Sequence, residues 1–209
     1  METMKAQDNP LLLDFKTPHQ TAPFDIIKNE HFLPAFDEAI KKGESEIVAI
    51  KNKSELPSFE NTIVALEESG KLLSRTAGIF FNLINAETND ELQKIAQEVS
   101  PKLTKFQNDI SLDPVLFEKV KAVYETKDEL DLTPEQQTLL ENSYVGFVRQ
   151  GANLSEEDKN KFREISTELS KLILKFGENV LKETNAYQLH ITDKTRLAGL
   201  PEGAIEAAA

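Results

Sequence analysis

Few side chains in this sequence can do chemistry. It has three histidines, His19, His31 and His190, and no cysteine. The lack of cysteine excludes disulfides, thiolate nucleophiles and Cys-ligated zinc. A helical zinc site of the H-E-x-x-H type needs two histidines one turn apart, so that both rings reach one ion. At that offset His31 has Ala35 and His190 has Lys194, so neither can form the pair. His31 reads as a helix-start residue that packs or hydrogen-bonds locally. His19 sits in a proline-rich leader and is expected to be exposed. His190 falls in a stretch with alternating apolar residues, and its role stays open.

Carboxylates are plentiful, with 36 Asp and Glu against 24 Lys and Arg. The densest runs are Glu67-Glu68 and Glu156-Glu157-Asp158. Neighbours on a helix point in different directions, so adjacency alone does not pair them. The second run also lies in a first helical turn, where acids suit the positive end of the dipole. Both read as solvated. Gly70-Lys71 lacks the upstream glycine and the following Ser or Thr of a phosphate-binding loop, and no calcium-loop spacing occurs. Two Asn-x-Ser/Thr sequons, at Asn52 and Asn153, matter only in a glycosylating pathway. No catalytic or metal-ligating residue is expected in this chain. The spacing does not mark which residues would touch a substrate.

The elements that would position any site are helices. The chain has 209 residues, 39% of them hydrophobic, enough for one sizeable domain or two small ones. Its formal charge of −12 repels phosphate backbones and anionic membranes. No apolar run approaches the ~20 residues of a membrane span, and the N-terminus lacks a signal-peptide core. A cytoplasmic location follows by default, or a periplasmic one if a signal preceded Met1.

Residues 1–23 read as an extended leader, broken by Pro10, Pro18 and Pro23, with Leu11, Leu12, Leu13 and Phe15 available to pack along a body. Residues 24–185 read as a helical domain. Phe32, Phe36, Ile40, Ile47 and Ile50 mark a first helix to about Lys51. Ser58 caps a long helix expected from Phe59 to Asn85. Thr88 and Glu91 have capping-box spacing. The stripe Leu92, Ile95, Val99, Leu103, Phe106 and Ile110 follows, and Pro101 within it should kink the helix rather than split it. Asp113-Pro114 and Thr133-Pro134, the latter with Gln136, open two more helices. Gly151 is a stop signal. Ser155 and Asp158 open the last long helix, whose stripe Phe162, Ile165, Leu169, Leu172, Phe176 and Val180 is expected to be buried. Residues 186–209 read as a connection, with at most one short strand near 186–191. A helix begun at Leu200-Pro201 and ending in Ala207-Ala208-Ala209 is what truncation would leave. The expected fold is all-α, an antiparallel stack of about six to seven helices.

One set of residues carries a resemblance. Asn9-Pro10, then Pro23-Phe24-Asp25-Ile26-Ile27, then Glu30-His31-Phe32-Leu33-Pro34-Ala35-Phe36 resembles the opening of the thimet oligopeptidase family of zinc peptidases. Ser58-Phe59-Glu60-Asn61-Thr62-Ile63-Val64-Ala65-Leu66-Glu67-Glu68-Ser69-Gly70-Lys71-Leu72-Leu73-Ser74-Arg75 is similar to its bacterial peptidyl-dipeptidase branch, as is Leu197-Ala198-Gly199-Leu200-Pro201. The oligopeptidase A branch is more distant. The match runs in order along the whole chain but covers only the first third of a family member.

The resemblance implies a zinc-activated water and a glutamate base in the intact protein, releasing C-terminal dipeptides from short peptides. Their H-E-x-x-H helix and further Glu ligand lie far downstream, so no zinc is expected in this part. It implies helical halves flanking a deep channel, with this part as a wall and the C-terminal catalytic region as its partner. The competing reading is an autonomous helical protein-interaction module without peptidase activity.

Overall fold

The computed structural model describes residues 9–208. The first eight residues of the leader, and Ala209 in the terminal alanine run, lie outside the described residues. The fold is all-helical, and among the described residues there is no strand. Tyr187 to Asp193 form no regular element, so the alternation near 186–191 does not become a strand. A strand needs a partner for its backbone groups, and no other strand among the described residues supplies one.

The chain divides into two compact units between Leu174 and Lys175. In the larger unit, helix α1 spans Phe32–Lys51. A π-helical turn, Phe59–Val64, leads into the short α2, Ala65–Glu68. Helices α3 (Lys71–Ala86), α4 (Asp90–Ser111), α5 (Pro114–Glu125) and α6 (Pro134–Arg149) follow. Helix α7, Glu156–Ala186, starts in the larger unit. The smaller unit holds its last turns, a 3₁₀ turn at Lys194–Leu197 and α8, Glu202–Ala208.

Caps explain most of the starts. Asp113 Oδ1 accepts the amides of Val115 and Leu116 at 2.8 and 3.0 Å, with Pro114 in the first turn. Thr133 and Gln136 form a reciprocal box, as do Ser58 and Asn61. Ser155 Oγ accepts the Asp158 amide at 3.1 Å. Gly151 ends α6 at φ 93°, a left-handed value suited to glycine.

Two starts differ from expectation. The long helix over Phe59–Asn85 is broken at Gly70, which takes φ 70° and begins α3 anew. Its amide donates to Glu46 Oε2 of α1 at 2.8 Å, so a tertiary bond holds the break open. The cap of α4 is Asn89 rather than Thr88. Asn89 Oδ1 accepts from the amides of Glu91 and Leu92, while Thr88 Oγ1 is buried without a partner. Pro101 lies inside α4, which continues through it as one helix.

Contacts set the directions. Phe32 and Phe36, early in α1, pack edge-on against Phe80, late in α3, with ring centroids at 4.9 and 5.3 Å. Glu46, late in α1, meets Gly70 at the start of α3. These two helices are antiparallel. Helix α4 instead runs alongside α1 in the same sense: Asn29 bonds Glu91, Asp37 bonds Lys102, and Lys51 pairs with Asp113. The two helices approach closely at Gly43, where a Cβ would sit 2.8 Å from Phe106 Cζ. Helices α5 and α6 are antiparallel, with Tyr124 stacked on Tyr144 and Phe117 on Phe147.

Apolar burial is organised in two clusters that α1 threads in turn. The first joins Leu11, Phe32, Phe36, Leu73, Phe80, Leu92 and Val99. The second joins Ile47, Ile50, Phe59, Ile63, Leu116, Val120, Leu140 and Phe147. Burying a side chain of this size stabilises by about 1.5–3 kcal/mol against leaving it in water.

Candidate functional site

The histidines do not converge. His19 is exposed, at φ 58°. His190 is exposed beyond α7. His31 is buried at the entry to α1, where its Nδ1 accepts the Lys28 amide at 3.0 Å and its carbonyl accepts Asn9 Nδ2 at 2.8 Å. Burial holds its imidazole below the ordinary value; Glu30 opposes this and Lys28 adds to it. The local packing and hydrogen-bonding role expected of His31 is what the geometry gives it. The acidic runs are on the surface. Glu67 and Glu68 are exposed, and Glu156 and Glu157 pair with Lys159 and Lys161 within α7. Among the described residues, no three His, Asp or Glu side chains are placed to share a metal ion.

The segment Ser58–Arg75, so rich in the resemblance, is largely scaffolding. Asn61 receives the Ser58 amide, donates to the Leu56 carbonyl and accepts from Thr62 Oγ1. Phe59, Thr62 and Ile63 are buried beneath this cap. Arg75 has a different task. Its guanidinium donates to the carbonyls of Leu11 and Leu13 at 2.9 and 3.0 Å and lies 4.5 Å over the Phe15 ring. Asn9 completes the clasp, with its Oδ1 capping Leu11. Sequence reasoning missed Arg75; the available signal was an arginine set among Leu72, Leu73 and Thr76, three inward-facing residues.

Two apolar surfaces stand out. One is a groove of about 630 Å³ beside the Gly70 break, lined by Leu66, Leu73, Leu103, Phe106, Ile110 and Phe147, with Asn108 as a polar element. Its lining carries no carboxylate, amine or imidazole, which suits it to apolar groups. The other is the outer face of α7. The stripe expected to be buried is mostly in water: Ile165 is 67% exposed, Phe176 70%, and Leu169, Leu172 and Val180 about half. Phe162 is half-buried. The face on the protein side is instead largely polar, with Ser166 Oγ accepting from the buried Asn108 at 2.7 Å.

Comparison with known proteins places this architecture. Residues 36–159 match the family model described as the neurolysin/thimet oligopeptidase N-terminal domain. The chain is 39% identical over 201 residues to a dipeptidyl carboxypeptidase of Escherichia coli, a match covering 96% of this chain and 30% of that protein. It is 41% identical to the dipeptidyl carboxypeptidase of Salmonella typhimurium, over 92% of this chain and 28% of the relative. Oligopeptidase A of Escherichia coli is 26% identical over 96% of the chain and 29% of the relative. The chain thus spans about a third or less of the length of these relatives. It belongs to the neurolysin and thimet oligopeptidase family, and what it carries is that family's N-terminal domain.

Proposed function

We propose that this chain is the non-catalytic N-terminal part of a zinc peptidase that, when intact, removes dipeptides from the C-termini of short peptides. The observation that carries this reading is its higher identity to the two dipeptidyl carboxypeptidases than to oligopeptidase A. On this reading the helices form one wall of the substrate channel, and the remaining polypeptide supplies the chemistry. The intact protein is cytoplasmic, or periplasmic in a precursor that carries a signal peptide.

The described residues do not fit a zinc ion. His31 is turned inward with its Nδ1 occupied by a backbone amide, and no set of three ligands converges. On this proposal the metal is held by polypeptide outside this chain, and no step of hydrolysis is assigned to residues here. What the chain contributes is shape. Two apolar clusters fix α1, α3, α4, α5 and α6, and a rigid helical wall admits an extended peptide more readily than a folded protein.

The test is hydrolysis of a short peptide with a free C-terminus, with zinc present, by this chain and by the chain extended through its natural downstream sequence. Dipeptide release only by the extended form is expected. Release by neither would favour a helical interaction module, a reading for which the exposed face of α7 speaks. Release by the short chain alone would mean that a catalytic site exists within it.

A further inference from the structure

Helix α7 is amphipathic but inside out. In the larger unit its half-buried side carries Arg163, Ser166, Thr167 and Ser170 beside Phe162 and Leu174, while Ile165, Leu169, Leu172 and Ile173 point to solvent. Helices normally turn the apolar stripe inward and the polar face to water. A row of four large aliphatic side chains in water is a surface made to be covered. In the smaller unit, Phe176 and Val180 are exposed as well.

Three observations say what covers it. The first is spacing. Ile165, Leu169 and Leu172 advance by four and three residues, the seam that receives the knobs of another helix. The second is position. The match to the N-terminal domain ends at residue 159, and the exposed stripe begins at Ile165. It lies past that domain, on the stretch leading toward the part of the relatives that this chain does not cover. The third is charge. The flank of Glu168, Lys171, Lys175 and Glu178 is balanced in sign within a chain of net charge −12, so apolar docking there is not opposed by like charge.

We propose that the face Ile165–Ile173 is the seam onto which a helix of the downstream polypeptide docks, which makes α7 the founding helix of the next core. This rests on the reading of the chain as part of a longer peptidase. Self-association of a second copy through the same face is the competing occupant.

The sequence contains no cysteine, so a single introduced thiol reports cleanly on this face. The variants are Ile173→Cys, Leu169→Cys and, as a control, Leu56→Cys, whose native side chain is 87% exposed. Maleimide labelling of each peptide is followed by mass spectrometry, in the 209-residue chain and in the chain extended through its natural downstream sequence. The expected result is fast labelling at all three sites in the short chain. In the extended chain, positions 169 and 173 are expected to label about 100-fold more slowly, with position 56 unchanged. Equal rates at 169 and 173 in both chains would overturn the proposal. So would slow labelling in the short chain that grows slower with protein concentration, because the occupant would then be a second copy. Peptide hydrolysis is read separately. Protection without hydrolysis would sink the peptidase reading and leave the seam standing, and hydrolysis without protection would do the reverse.

Discussion

Helices α4 and α7 have similar sequences in outline and opposite fates in the fold. Each opens on a polar cap and acids in the first turn, and each carries large apolar residues at three- and four-residue steps. In α4 the first half of the stripe is buried and the rest half-buried: Leu92 is 3% exposed and Val99 fully enclosed, against α1 and α3. In α7 the corresponding residues after Phe162 stand in water. Periodicity thus identifies the face of a helix that gains from burial. It does not say which neighbour provides the cover, or whether that neighbour lies within the same stretch of chain.

The largest test of this contrast is truncation of one ring on each side. Phe80 meets Phe32, Phe36 and Phe81 in the covered cluster, and Phe80→Ala is expected to cost about 3–5 kcal/mol. Phe176→Ala in the 209-residue chain should stay within about 0.5 kcal/mol of the parent, since the ring is already in solvent. Urea unfolding followed by circular dichroism measures both. Equal losses would erase the distinction between the two helices.

A smaller effect compares caps. Asp113→Ala removes two amide contacts at the start of α5 and the partner of Lys51, and is expected to cost about 1–2 kcal/mol. Ser155→Ala, at the start of α7, should cost about 0.5–1 kcal/mol, because that cap is exposed and its hydroxyl bonds Asp158 within its own first turn. A Ser155 loss as large as that of Asp113 would mean that α7 is held to the domain more firmly than its polar inner face suggests.

The smallest effect is pH-dependent. His31 is buried in its neutral form, and its pKa lies below the unfolded value of about 6.5. The stability it contributes is complete above that value and is lost as the pH falls through the folded value, because the unfolded chain then binds the proton more readily. Thermal unfolding of the parent between pH 7.5 and 5, set against His31→Asn, should show a shallower decline in the variant, about these pH values. Identical slopes would remove His31 from the acid response of the covered cluster.

Much of this architecture was legible in the sequence. The caps at Ser58, Asp113, Thr133 and Ser155 were readable because each partner lies within three residues, so the local pattern contains the whole interaction. The misread features depend on distant partners. Glu91 has the spacing to close a box with Thr88, but its carboxylate accepts from Asn29, 62 positions away. Gly70 breaks a helix whose stripe continues across it, and the bond that stabilises the break comes from Glu46. The outward stripe of α7 is likewise a local pattern, and its spacing does not say whether a neighbour in this stretch of chain covers it.

The Arg75 clasp has a consequence for how the leader can vary among proteins built this way. The guanidinium grips the carbonyls of Leu11 and Leu13, which every amino acid possesses, so it recognises the course of the backbone and not its spelling. The exposed Leu13 and Asp14 can therefore drift without loosening the grip. Leu11, sealed in the core, and Phe15, beneath the cation, are the two letters of that stretch that the clasp holds fixed.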